Sequence, residues 1–218
     1  IDGPSGAGKS TVAKALAKEL HFVYVDTGAM YRAIGVYVRG HGIDKNNADA
    51  VIAALPDIRV SLDYAEDGTQ NVLLNGEDVS TVIRENEISL YASTVSKIPE
   101  VRARLLSLQR EMAQTHNVIM DGRDIGTAVF PDAELKIFVT ASAEIRAQRR
   151  YDELQAKGQE ASFDEILANV KERDYIDQNR EVSPLRQADD ALLLDNSNLT
   201  IEEQKQWLKE RFEEAVKE

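Results

Sequence analysis

Eight consecutive residues, Gly3-Pro4-Ser5-Gly6-Ala7-Gly8-Lys9-Ser10, satisfy the pattern G-x-x-x-x-G-K-[ST] at every position. Its glycines allow turns and close approaches that a Cβ would block. A backbone turned in this way aims several N–H groups at one anion, and the helix that starts here adds its positive end to the same point. Lys9 supplies a mobile cation for β- and γ-phosphates. Ser10 supplies a hydroxyl for Mg²⁺, with Thr11 as a second candidate for that duty. The bland alternative is a glycine-rich turn that only starts a helix; the strand-before, helix-after context stands against it.

Strand-like and helix-like segments alternate along the rest of the chain. Val12, Leu16 and Leu20 recur at helical spacing, and Phe22–Val25 is a short apolar run that reads as a buried strand. A helix is expected over 29–38, ending at Gly40-His41-Gly42. Ile58, Val60, Leu62 and Tyr64 alternate with polar residues, Asp67-Gly68 offers a turn, and 71–74 can return as a second strand. Helices are expected over 86–96 and 99–115, with Pro99 in a first turn. Strands are expected over 117–121, 135–139 and 192–195, and charged helices over 143–157 and 163–178, separated by Gly158. Thr200 and Glu203 make the S/T-x-x-E cap of a last helix. The pattern predicts an α/β fold with a central parallel sheet covered on both faces, its ligand site beyond the carboxyl ends of the strands.

Composition removes several function classes. The chain of 218 residues has no cysteine and three scattered histidines, so neither a disulfide framework nor a Cys or His zinc site is expected. A net charge of −12 argues against nucleic-acid binding. No apolar run is long enough to span a membrane. The chain begins at Ile1 rather than Met, and a few residues are expected to precede it. Cytoplasmic residence and a monomer are the default expectations. No Asn-Lys pair exists to build the N-K-x-D guanine reader of a GTPase, which leaves a small P-loop kinase as the reading that fits the length.

Three clusters bear on the acceptor. Asp26-Thr27-Gly28-Ala29-Met30-Tyr31-Arg32 follows a strand and brings a hydroxyl, a ring and a guanidinium together. Asp121-Gly122-Arg123-Asp124-Ile125-Gly126-Thr127 starts with a strand-end carboxylate of the kind that supports P-loop magnesium. Arg146, Arg149 and Arg150 share a helix face, with Arg173, Arg180 and Arg186 beyond. Each cluster also has a plain reading: a helix start, a surface ion pair, a solvated charged face.

The marks IDGPSGAGKS at 1–10, DTGAMYR at 26–32, NGEDVS at 75–80, DGRDIGTAVFPDA at 121–133 and KERDYIDQNR at 171–180 run along nearly all of the chain, which resembles the bacterial-type cytidylate kinases. The resemblance implies a P-loop NTPase three-layer fold with an inserted monophosphate-binding region and a helical lid. It divides the chain into a core (1–27, 98–149 and 179–218), a monophosphate-binding region at about 28–97 with its hairpin at about 58–76, and a lid at about 150–178. It implies Mg²⁺ and ATP, with CMP or dCMP as acceptor, and neither nucleic acid nor membrane as partner. ATP would lie on Gly3 to Thr11. Thr27, Ser93, Arg102 and Asp124 would sit by the base, Asp177 by the ribose. Tyr31, Arg32, Arg123, Arg173 and Arg180 would surround the acceptor phosphate and its transfer path, with Asp121 nearby. Lys9, Arg123, Arg149, Arg173 and Arg180 are the catalytic candidates, and Ser10 and Asp121, the latter through water, the metal candidates. Family relatives that carry glycine where Ser10 stands leave Ser10 and Thr11 both open as the metal's hydroxyl. The rivals are another small P-loop kinase, for a different monophosphate or a metabolite such as shikimate, and a non-catalytic nucleotide-binding regulatory module.

Overall fold

Val12, Ala13, Leu16 and Ala17 form the buried apolar face of the first helix, α1 (Lys9–Leu20), which begins three residues before that apolar stripe because the glycine-rich turn hands directly into it. The computed structural model describes residues 1–66 and 68–217. Next come β1 (Val23–Asp26) and α2 (Thr27–Gly40). The Asp26 carboxylate accepts from Ala29 N at 3.0 Å, so the helix starts at Thr27 rather than at Ala29; such a cap stabilises by about 1 kcal/mol. A short helix α3 (Ala48–Ala54) precedes β2 (Val60–Tyr64), β3 (Gln70–Leu74) and β4 (Glu77–Asp78). Helices α4 (Asn86–Val95) and α5 (Pro99–Thr115) follow, then β5 (Val118–Asp121), β6 (Ile137–Thr140), α6 (Ala143–Ala156), α7 (Phe163–Asn179), β7 (Leu192–Asp195) and α8 (Ile201–Ala215).

The chain forms two compact units. The first holds residues 1–20, 121–179 and 183–218. Here Asp2 makes parallel bridges to Gly122 and to Phe138, and β6 pairs in parallel with β7, Ile137 facing Leu192 and Thr140 facing Asp195. Ile137, Val139 and Leu194 supply its buried apolar positions, α1 packs on α8, and α6 packs on α7. The predicted capping box is present: Glu203 N donates to Thr200 Oγ1 at 3.2 Å and Thr200 N to the Glu203 carboxylate at 2.8 Å.

The second unit holds residues 21–120 and 180–182. Strand β1 pairs with β5, and α2 buries Met30, Ala33, Ile34 and Val38, packing on α4. Strands β2 and β3 form the expected antiparallel hairpin, Val60 facing Leu74 and Tyr64 facing Gln70. The turn residue Asp67 lies outside the described residues; beside it Gly68 holds φ +80°. The alternation read on β2 is half-buried against exposed, while β3 buries Gln70, Val72 and Leu74. The elements not anticipated include α3, the third strand β4, the short 3-10 turns Leu55–Asp57 and Val82–Arg84, and a π-helical turn at Ile125–Val129 in the first unit. The architecture is α/β with parallel pairing, as a P-loop kinase fold requires. Among the described residues no helix is long and apolar enough to cross a membrane.

Candidate active site

The glycine-rich loop owes its shape to two positions in particular. At Gly3, with φ +148°, a Cβ would stand 2.0 Å from the Val139 carbonyl oxygen, so only glycine lets the loop pass the end of β6. At Gly8, φ is +83°, a left-handed conformation that turns the chain into α1. The next residue, Lys9, is buried, and its Nζ donates to the Pro4 carbonyl at 2.8 Å. Burial and then the positive charge of Arg123 pull its pKa down from 10.5 to about 7, against the carboxylates of Asp121, Asp2 and Asp177. The Lys9 ammonium and the Arg123 guanidinium are the positive charges here, offset by the three carboxylates.

Ser10 points its hydroxyl at the end of β5: Oγ donates to Asp121 Oδ2 at 2.9 Å, and Asp121 is buried. Thr11 is exposed. A hydroxyl beside a carboxylate is an oxygen donor set that suits Mg²⁺, a hard cation that keeps waters and phosphate oxygens as its other ligands. Among the described residues no group of three or more His, Cys, Asp or Glu gathers into a protein-only metal cage.

The turn after β5 is held from below. The buried Asp2 carboxylate accepts from Ile125 N at 2.8 Å and Gly126 N at 2.7 Å, which fixes the stretch carrying Arg123 and Asp124. Arg123 Nε donates to Asp177 Oδ2 at 2.8 Å, joining this turn to α7. Arg173 is half-buried on the same helix, and Asp124 is buried.

The late arginines divide. Arg146 is consumed by the fold: Nε donates to Ala141 O at 2.9 Å, Nη1 to Ser5 O at 2.9 Å, and the guanidinium grips Asp174 with both nitrogens. Arg150 meets Glu153 at 2.8 Å on the surface, and Arg186 is exposed. Arg149 lies near the loop, donating to Asn196 Oδ1 at 3.1 Å and to Asn196 O at 2.8 Å; desolvation lowers its pKa.

A second cluster occupies the other unit. Thr27 starts α2, and Arg32, one turn on, lies 3.7 Å from the Asp26 carboxylate. The Arg102 guanidinium carbon stands 5.4 Å from the centre of the Tyr31 ring, a cation–π distance. Arg180 donates to Ser96 Oγ at 3.2 Å, and the Ser96 hydroxyl donates to the Ser93 carbonyl at 2.9 Å. Thr27, Ser93, Arg102 and Arg180 are all buried. The site residues thus fall into two sets: the loop, Ser10, Asp121, Arg123, Asp124, Arg149, Arg173 and Asp177 in the first unit, and Thr27, Tyr31, Arg32, Ser93, Arg102 and Arg180 in the second.

A sequence model of the family described as Cytidylate kinase matches residues 1–213. The chain belongs to the cytidylate kinase family. Among its relatives, the cytidylate kinase of Bacteroides fragilis is 57% identical over 100% of this chain and 96% of its own length. That of Bacteroides thetaiotaomicron is 56% identical over 100% and 97%. That of Caldicellulosiruptor saccharolyticus is 50% identical over 99% and 95%.

Within this member of the cytidylate kinase family, several polar residues near the candidate site were given no part in the site by the sequence reading. Asn196 is fully buried; Nδ2 donates to Ala7 O and to Gln204 Oε1, both at 2.7 Å, while Oδ1 takes Arg149. Gln70, from the hairpin, accepts from Asp26 N at 2.9 Å. Tyr64 donates to the Tyr24 carbonyl at 3.2 Å, and burial pushes its phenol up to about 12. Asp2 supports the Ile125 turn.

Proposed function

We propose that the chain phosphorylates CMP and dCMP with ATP, giving CDP and dCDP by in-line transfer of the γ-phosphoryl group. The carrying observation is a complete phosphate cradle, with a buried lysine and a hydroxyl–carboxylate pair beside it, in a chain of the cytidylate kinase family.

In this reading Gly3, Pro4, Ser5, Gly6, Ala7, Gly8, Lys9, Ser10 and Thr11 hold the donor's phosphates. Backbone N–H groups and the start of α1 face the anion, and Lys9 exchanges the Pro4 carbonyl for a phosphate oxygen. Ser10, with Asp121 through water, holds Mg²⁺; the ion, when bound, neutralises charge on the β- and γ-oxygens. Thr27, Ser93, Arg102 and Asp124 read the cytosine, Asp177 the ribose, and Tyr31, Arg32, Arg123, Arg173 and Arg180 the acceptor phosphate, with Asp121 beside it. The attacking oxygen is already anionic, so no general base is needed. Catalysis is alignment plus charge stabilisation by Lys9, Arg123, Arg149, Arg173 and Arg180. Closure of a lid at about 150–178 over the donor excludes water as a competing acceptor. Residence in the cytoplasm as a monomer, with neither nucleic acid nor membrane as partner, belongs to the same proposal.

ADP release measured in parallel with CMP, dCMP, UMP, AMP and GMP tests it. CMP and dCMP are expected to be good acceptors and UMP poor. Preference for a purine monophosphate, or ADP release indifferent to every acceptor, contradicts it.

A further inference from the structure

Ser96 caps the carboxyl end of α4 and is buried. A serine hydroxyl has one proton and two lone pairs. Here the proton goes to the Ser93 carbonyl at 2.9 Å, which turns the lone pairs toward the Arg180 guanidinium, whose Nη1 donates to Oγ at 3.2 Å. The backbone carbonyl of the same residue accepts from Arg102 Nη1 at 3.3 Å. One small residue thus ties together groups from α4, α5 and the 180–182 segment, and Arg102 in turn stacks on Tyr31 of α2.

We infer that Ser96 is a positioning residue for acceptor binding: its hydroxyl holds the Arg180 guanidinium in the orientation that meets the acceptor nucleotide. The inference rests on the acceptor roles given above to Ser93, Arg102 and Arg180. Guanidinium groups turn freely about their long stems, and a buried one whose acceptors are fixed loses little further freedom when a ligand arrives. The Ser96 hydroxyl links the end of α4 to that guanidinium. The plain alternative is that the hydroxyl only finishes the helix, a role shared by many serines that bond back to the carbonyl three residues earlier.

The two readings separate in a double-mutant cycle. In Ser96→Ala the KM for CMP is expected to rise about tenfold, the loss of one hydrogen bond to a buried charged group, while the KM for ATP stays within about twofold. Ser96→Thr, which restores the hydroxyl, should recover most of the loss. In an Arg180→Ala background, adding Ser96→Ala should change kcat/KM for CMP by less than about twofold, because the group it orients is gone. An effect of Ser96→Ala that is the same size in both backgrounds, or one seen in melting temperature and not in KM for CMP, overturns the inference and leaves the acceptor role of Arg180 standing. If Arg180→Ala itself leaves kcat/KM for CMP unchanged, the acceptor assignment fails and the Ser96 inference falls with it.

Discussion

Ser10 and Asp121 meet at 2.9 Å although 111 positions separate them in the chain. The contact joins the first turn of α1 to the end of β5, and it puts a hydroxyl and a buried carboxylate beside the glycine-rich loop. If they serve the metal, Ser10→Ala and Asp121→Asn should each raise the Mg²⁺ concentration needed for half-maximal rate by about ten- to a hundredfold. Ser10→Thr should stay close to wild type. Titrating MgCl₂ at fixed ATP and CMP reads this directly.

Lys9 makes a prediction with a definite sign. Its pKa is lowered from 10.5 to about 7 in the folded protein, first by burial and then by Arg123. Between those two values the unfolded chain binds more protons than the folded one. The metal-free, ligand-free protein should therefore gain stability as pH rises across that window, by at most about 1.4 kcal/mol per pH unit, and lose the gain as pH falls back toward 7. ATP brings negative charge to the ammonium and favours its proton. Calorimetry at about pH 8.5 in buffers of different ionisation heat should show proton uptake on ATP binding that disappears in Lys9→Met. Lys9→Ala should lower kcat on the order of a thousandfold with the fold intact.

Asp124 is buried at the end of a turn that Asp2 holds in place. If Asp124 reads the base as proposed, its carboxylate pairs with the amino group of cytosine and is left unpaired against uracil. Asp124→Ala should shrink the preference for CMP over UMP, measured as the ratio of kcat/KM values, by on the order of a thousandfold or more. A variant that keeps the wild-type ratio removes Asp124 from base reading.

Asn196 uses all of its side-chain hydrogen-bonding groups inside the first unit, between Ala7 O, Gln204 and Arg149. Asn196→Ala abandons buried partners on three sides and should cost about 2–4 kcal/mol in urea unfolding. It also frees one side of the loop, so the KM for ATP should rise while the KM for CMP changes little.

Much of this was legible in the chain because it is written in local patterns. The loop could be read residue by residue, since positions such as Gly3 tolerate nothing larger. The capped helix at Thr200 and the β2–β3 pairing followed from a four-residue motif and from alternation. Helix α3 was not seen because it is only seven residues long and buries only Val51, too little for a stripe. The π turn at Ile125 depends on Asp2, which lies 123 positions away. Gln70, Ser96 and Asn196 are polar residues whose roles come from contacts 44, 84 and 189 positions distant, which no local pattern reveals. Arg146, grouped with Arg149 and Arg150 by helical spacing, shows the reverse case: the face was read correctly, but its most buried member is bound to Ser5 and Asp174.

Phosphorus NMR of the purified protein with ATP, Mg²⁺ and CMP tests the central claim most directly. The γ resonance of ATP should decay as the α and β resonances of CDP appear in equal amount, with little inorganic phosphate. Release of inorganic phosphate at a rate unchanged by CMP, with no CDP formed, would contradict it.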